Sequence, residues 1–256
     1  MNDLLRPFLR WFVLVVFYDI LIYSPTLQDH LTHLDIILKL LQTQLFFAKL
    51  SKCSFATSTV SYLGHIISPA GVTPDPEKIK AIIDWPQPQS LTALRAFLGL
   101  IGFYRKFIRN YATLVAPFTD LLHCQRFTWP QTAQMAFTTL KVEIAKVPNL
   151  HLPDFAQPFV VDTNASAVTV GAFLSQASHP IAFFSKKMCP RLQAASMYVR
   201  EMYAITKAIK KWRQYLLGNH FKIYTDQKSL NTLLSQTIQT PEQKKWTTNS
   251  KDMIFR

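Results

Sequence analysis

With 256 residues, 49% of them hydrophobic and only 17% charged, the chain has apolar matter for one large or two modest cores, and wholesale disorder is excluded. Twenty-eight Lys and Arg against 15 Asp and Glu give a net charge of +13, a balance that suits a polyanionic partner as well as it suits a plain soluble surface. Cys53, Cys124 and Cys189 form no C-x-x-C pair, so a zinc knuckle or a redox pair is excluded and a reducing, intracellular setting is expected.

The charge is unevenly spread. Residues 1–90 hold seven basic and seven acidic residues, 91–150 seven against two, and 151–256 fourteen against six. The basic field therefore covers the last two-thirds.

At the N-terminus, Arg6 and Arg10 precede an apolar run over 11–18, an order found in signal peptides and anchors. The run is too short for a span, which needs ~20 apolar residues. Asp19 interrupts it, and no small-residue cleavage site follows Tyr23. Two strands, 11–17 and 20–23, around a turn at Tyr18-Asp19 are expected instead, with neither secretion nor a membrane anchor.

Ser24-Pro25 should open a helix, with Leu27, Leu31, Leu34, Ile37, Leu38 and Leu41 at helical spacing to about Gln44. His30 and His33 stand at i, i+3 with no third ligand and read as surface residues. VSYLGHIIS, 60–68, reads as one strand. Asp75-Pro76 should cap a helix to about Ile83. WPQPQ, 85–89, is a boundary. Ser90 should cap a helix with Leu91, Leu94, Phe97, Leu98 and Ile101 on one face; helices at about 111–122 and 131–146 follow.

After the break HLPDFAQP the pattern alternates with period two over 159–164, 168–175 and 180–186. A long helix is expected over 193–216, a fourth strand over 221–225, and helices at about 227–235 and 241–248. No internal repeat is visible.

The order of these strings carries a resemblance. FVLVVFYDILIYS (12–24) is similar to the F-x-D-D-I-L-I-Y-S palm motif of Gypsy-type LTR-retrotransposon reverse transcriptases, and YLGHIIS (62–68) to their primer-grip hairpin, which makes His65 structural. DPEKIKAIIDWPQP with LRAFLGLIGFYRKFI resembles their thumb and connection. FVVDTNAS, HPIAFFSKK, YVREMYAITKAIKKWRQYLLG and FKIYTDQKSL follow the RNase H segment in order. The resemblance implies an α+β chain: a palm remnant over 1–73, a helical thumb and connection over 74–150, and an incomplete RNase H-like mixed sheet of strand order 3-2-1-4 over 151–256. It also implies truncation at both ends of a Pol polyprotein.

The implied activities are RNA-directed DNA polymerase and ribonuclease H. Each holds two Mg2+ ions with clustered carboxylates, because dications a few ångströms apart repel unless anionic oxygens surround them. Asp19 matches the second of the palm's paired aspartates, and Tyr18 stands in place of the first. Asn164 stands in place of the first RNase H aspartate; Asp162 lies two residues back, displaced by roughly 7 Å along a strand. Glu201 matches the catalytic glutamate and Asp226 the aspartate ending the fourth strand, so metal, if held at all, falls to Glu201 and Asp226. Their fourth partner is expected beyond Arg256. The copy therefore reads as catalytically inactive, with no small-molecule cofactor. The implied partner is an RNA/DNA hybrid or duplex DNA, met by Arg95, Arg105, Lys106, Arg109, Lys186 and Lys187 and by further basic residues at Lys210, Lys211, Arg213 and Lys228. The interleaved aromatics Phe103, Tyr104, Phe107, Trp212 and Tyr215 read as core. Three outcomes stay open: residual nuclease activity, a non-catalytic nucleic-acid binder, and a translated genomic relic that does not fold stably.

Overall fold

Internal packing divides the chain into two units, Met1–Pro69 and Ala70–Arg256. The computed structural model describes residues 2–9, 11–124, 126–218 and 221–225.

In the first unit, β1 (Val13–Val16) and β2 (Asp19–Ile22) form an antiparallel hairpin in which Val16 faces Asp19. The turn is Phe17-Tyr18, not Tyr18-Asp19. Phe17 takes the positive φ of 55° that a two-residue hairpin loop demands, so Asp19 becomes the first ladder residue of β2. The helix Leu27–Thr43 starts later than expected, because the Thr26 hydroxyl, not Ser24-Pro25, accepts the Asp29 N–H at 3.1 Å. Its buried face is narrow. Ile37 and Leu41 join Leu5, Phe12 and Val13 in the core, while Leu27, Leu31 and Leu38 stay exposed.

His30 and His33 are half-buried, not free surface residues: both Nδ1 atoms meet the Ser24 hydroxyl, at 3.4 and 2.7 Å, and His33 stacks on Phe12 at 3.8 Å. The expected strand 60–68 is a hairpin, β3 (Val60–Tyr62) and β4 (His65–Ser68). Leu63 and Gly64 both have positive φ, 50° and 72°, the geometry whose twist matches flanking strands.

In the second unit, β5 (Gly71–Pro74) bridges Leu150: the Val72 N–H donates to the Leu150 carbonyl at 2.7 Å, and the Val72 carbonyl accepts the Leu150 N–H at 3.0 Å. A Cβ at Gly71, whose φ is +125°, would overlap the Leu150 carbonyl oxygen. Asp75 caps Pro76–Ile83 and Ser90 caps Leu91–Phe103, each accepting a first-turn N–H as expected. These helices and Gln131–Ala145 bury Ile82, Leu94, Phe97, Ile101, Phe137, Leu140 and Ile144 together. Each such side chain contributes roughly 1.5–3 kcal/mol by leaving water.

The sheet that follows has the order β8-β7-β6-β9, the expected 3-2-1-4. β6 (Phe159–Ala165) and β7 (Thr169–Gln176) are antiparallel, as are β7 and β8 (His179–Lys187). β9 (Phe221–Thr225) runs parallel to β6. The expected helix 193–216 is three pieces: Pro190–Gln193, Met197–Lys211 and Arg213–Leu216. Ser196 caps the main piece, accepting the Val199 N–H, and buried Trp212 ends it with φ −108° and ψ 19°. That main helix lays Met202, Ile205, Ala208 and Ile209 on Phe159, Val161, Ala172 and Leu174.

Candidate functional site

Period-two alternation along β6 sends Val161, Thr163 and Ala165 into the buried side of the sheet, toward the helix Met197–Lys211. Asp162 and Asn164 fall on the opposite, more open face. There Asp162 stands across from Phe173 and then Phe183, and Asn164 across from Gly171 and then Ser185.

Glu201 comes from the other side. It is 2% exposed in the second turn of the main helix, and its carboxylate reaches the ends of two neighbouring parallel strands. Oε1 accepts the Ala165 N–H at 2.9 Å, and Oε2 accepts the Thr225 hydroxyl at 3.2 Å. The carboxylate thus lies at the end of β6, next to the Asn164 position, and beside Thr225, the last residue of β9. The Asn164 side chain is on the face turned away from the helix. Asp226 and Lys228 lie outside the described residues, as do the helices expected at about 227–235 and 241–248. Among the described residues no cluster of three or more His, Cys, Asp or Glu side chains could hold a metal ion.

Asp19 is placed differently. It opens β2 on the exposed side of the hairpin; its backbone carbonyl accepts the Tyr62 hydroxyl at 3.4 Å. Tyr18 is 87% exposed in the turn.

The expected basic residues divide into two sets. Arg95, Arg105, Arg109 and Lys186 are exposed. Lys106 is half-buried over the Phe107 ring at 5.1 Å, and desolvation lowers its pKa. Lys187 closes an ion pair with Asp120 at 2.6 Å. Arg109 lies over the Phe173 ring at 5.7 Å. Lys210, Lys211 and Arg213 are exposed at the end of the main helix. Of the aromatics, Tyr104, Phe107 and Trp212 are buried and Tyr215 packs against the sheet core, whereas Phe103 is exposed.

Sequence reasoning missed the contacts that seat residues 109–120 on the sheet. Ala112 N–H donates to the Ser185 hydroxyl at 2.8 Å, and the hydroxyls of Thr113 and Thr169 meet at 2.9 Å. These partners are more than fifty residues apart, and no local pattern announces them. Among the described residues no helix is long and apolar enough to cross a membrane.

A mixed four-stranded sheet in this order, crossed by a helix whose glutamate meets the ends of the first and fourth strands, defines an RNase H-like domain. Residues 154–251 match the family described as the RNase H-like domain found in reverse transcriptase. The whole chain is 38% identical over 258 residues to the retrovirus-related Pol polyprotein from transposon 297 of Drosophila melanogaster, of which it covers 24%. It is 32% identical to that from transposon gypsy of the same organism; the alignment covers 96% of the chain and 25% of the polyprotein. The chain thus belongs with the retrotransposon Pol polyproteins, in their reverse transcriptase–RNase H region, and spans about a quarter of the length of these relatives. Its fold matches, over its full length at 22% identity, that of the foamy viral protease-reverse transcriptase. The TM-score is 0.85 for that protein's complex with RNA/DNA hybrid (36% of that chain) and 0.84 for its complex with dsDNA (56% of that chain).

Proposed function

We propose that this chain is a catalytically silent reverse transcriptase–RNase H region that binds nucleic-acid duplexes through its basic surface. In this reading residues 1–73 are a palm remnant, 74–150 a thumb and connection, and 151–256 the RNase H-like domain. One observation carries it: the Glu201 carboxylate is buried, and both of its oxygens accept protein donors, beside a strand where Asn164 replaces the family's aspartate. Two dications need several anionic oxygens facing solvent and substrate. A neutral amide on one face and a carboxylate already engaged on the other do not fit that need. Asn164 would also turn an NH2 group, a donor, toward any cation. On the polymerase side, Tyr18 puts a neutral ring where the family carries charge.

The binding half of the reading rests on the excess of base over acid beyond residue 90 and on the exposed Arg95, Arg105, Lys186, Lys210, Lys211 and Arg213. Cationic side chains release condensed counterions from a duplex, so affinity should fall steeply with salt. Fluorescence anisotropy with a labelled RNA/DNA hybrid and with duplex DNA, at 50 and 200 mM salt, tests this. The expected result is binding to both that weakens at least about tenfold over that range, with no Mg2+-dependent cleavage of the hybrid. Binding indifferent to salt removes the binder; cleavage above a no-protein control removes the silence. The Asn164→Asp variant should restore little cleavage, because the Glu201 oxygens remain engaged.

A further inference from the structure

A cavity of about 490 Å³ lies on the sheet face turned away from the main helix. Its floor is the β6 row of Asp162 and Asn164. Its wall is the segment Arg109–Thr113, pinned to β8 by the Ala112–Ser185 bond and to β7 by the Thr113–Thr169 contact. Asn110 takes a positive φ of 55° and brings its amide oxygen to 3.5 Å from where a Gly171 Cβ would lie. A Cβ at 171 would meet that oxygen in ordinary van der Waals contact. Phe173 closes one end, with the Arg109 guanidinium over its ring.

The charges in this cavity are one of each sign. Arg109 and Asp162 are close enough that the guanidinium pulls against the rise in the Asp162 pKa that burial causes. Yet the two do not close to ion-pair distance, unlike Lys187 and Asp120. A cation and a carboxylate held apart across a polar gap, beside an aromatic ring, ask for a flat ligand with an acceptor edge and a donor edge. Guanine has both. Its O6 and N7 accept the fork of an arginine, and its N1–H and exocyclic amine donate to the two oxygens of a carboxylate. An aromatic ring and a guanidinium plane are the surfaces on which unpaired bases stack. The volume lies in the range that holds a small organic ligand.

We propose that this cavity is a binding pocket for an unpaired guanine base, read by Arg109 and Asp162 and stacked at Phe173. A bare anion suits it poorly, because Asp162 would repel a phosphate. Adenine suits it poorly as well, because its amino group would face Arg109 and its unprotonated N1 would face Asp162. The pocket is separate from the salt-dependent duplex surface, and a neutral nucleoside probes it alone.

The test is isothermal titration calorimetry of guanosine and adenosine into the full chain, without Mg2+, at two salt concentrations. Guanosine should bind roughly ten- to a hundredfold more tightly than adenosine, with an affinity that changes little with salt. Asp162→Asn and, separately, Arg109→Gln should each abolish most of that preference while circular dichroism stays unchanged. Equal affinity for the two nucleosides, or no heat with guanosine, overturns the proposal from the unmodified chain alone, whether or not a variant folds. A guanosine preference that survives both substitutions overturns it too, by placing the base elsewhere. Duplex binding by anisotropy is read in parallel: its loss with guanosine selectivity intact would sink the proposed function and leave this pocket standing.

Discussion

Two carboxylates matched by family position, Asp19 and Glu201, sit in opposite surroundings. Asp19 opens a short, exposed hairpin strand beside the solvated Tyr18 and Phe17, in a unit whose buried cluster is Leu5, Phe12, Val13, Ile37 and Leu41. Glu201 is sealed under the sheet and joins a helix to two strand ends. The difference teaches what the fold itself asks of a carboxylate. One beside a solvated turn is ordinary surface. One that satisfies a buried backbone N–H has a structural task.

The sharpest way to break this comparison is to remove each carboxylate in turn. Glu201→Ala removes the acceptor of the buried Ala165 N–H and opens a void. It should cost about 3 kcal/mol or more in urea unfolding. Asp19→Ala should stay within about 0.5 kcal/mol, as surface changes do. Similar costs for the two would mean that the clasp is not a stabilising contact and that the contrast is one of position alone.

The strands were legible from sequence because alternation, strand length and turn spacing all agreed; their order was implied by the resemblance, and two short connections and one helical crossover deliver it. The caps at Asp75 and Ser90 were legible for the same local reason. The hairpin inside VSYLGHIIS was missed although Gly64 marked it, since a single glycine in an apolar run reads equally as strand interior. Ser196 carried a usable capping signal, but nothing local to Trp212 announces the end of its helix. That Glu201 belongs near the ends of the first and fourth strands followed from its match to the catalytic glutamate; its two hydrogen bonds were not legible. Its partners are a backbone N–H and a hydroxyl brought near by the fold, so the residue type points to chemistry while the geometry supplies structure.

A smaller effect sharpens the contrast between exposed and engaged basic residues. Lys186 is exposed, whereas Lys187 is paired with Asp120 at 2.6 Å. If Lys186 neutralises one phosphate, Lys186→Ala should reduce the slope of log affinity against log salt by about one. Lys187→Ala should reduce it by less, because that cation is already partly neutralised. Equal changes would place both on the duplex surface and make the ion pair with Asp120 incidental.

The smallest expected effect concerns Asp162, the acid on the open face of the same sheet. Burial raises its carboxyl above the ordinary range, and Arg109 offsets part of that rise. A folded-state pKa above the unfolded one means that the native chain holds this proton more tightly. The stability linked to the group is therefore present below the unfolded value, near 3.9, and is lost as pH rises through the folded value. At pH 7 the ionised carboxylate is a mild burden. Asp162→Asn should then raise the thermal midpoint there by about 1–2 °C, and the gain should shrink as the pH falls below 4. In an Arg109→Gln background, where nothing offsets desolvation, the gain should be larger. Thermal unfolding of the four chains between pH 3.5 and 7.5 checks the sign directly. A loss of stability on Asp162→Asn at neutral pH would mean that attraction to Arg109 outweighs burial, and that the cavity holds its two charges as a partnership already satisfied without a ligand.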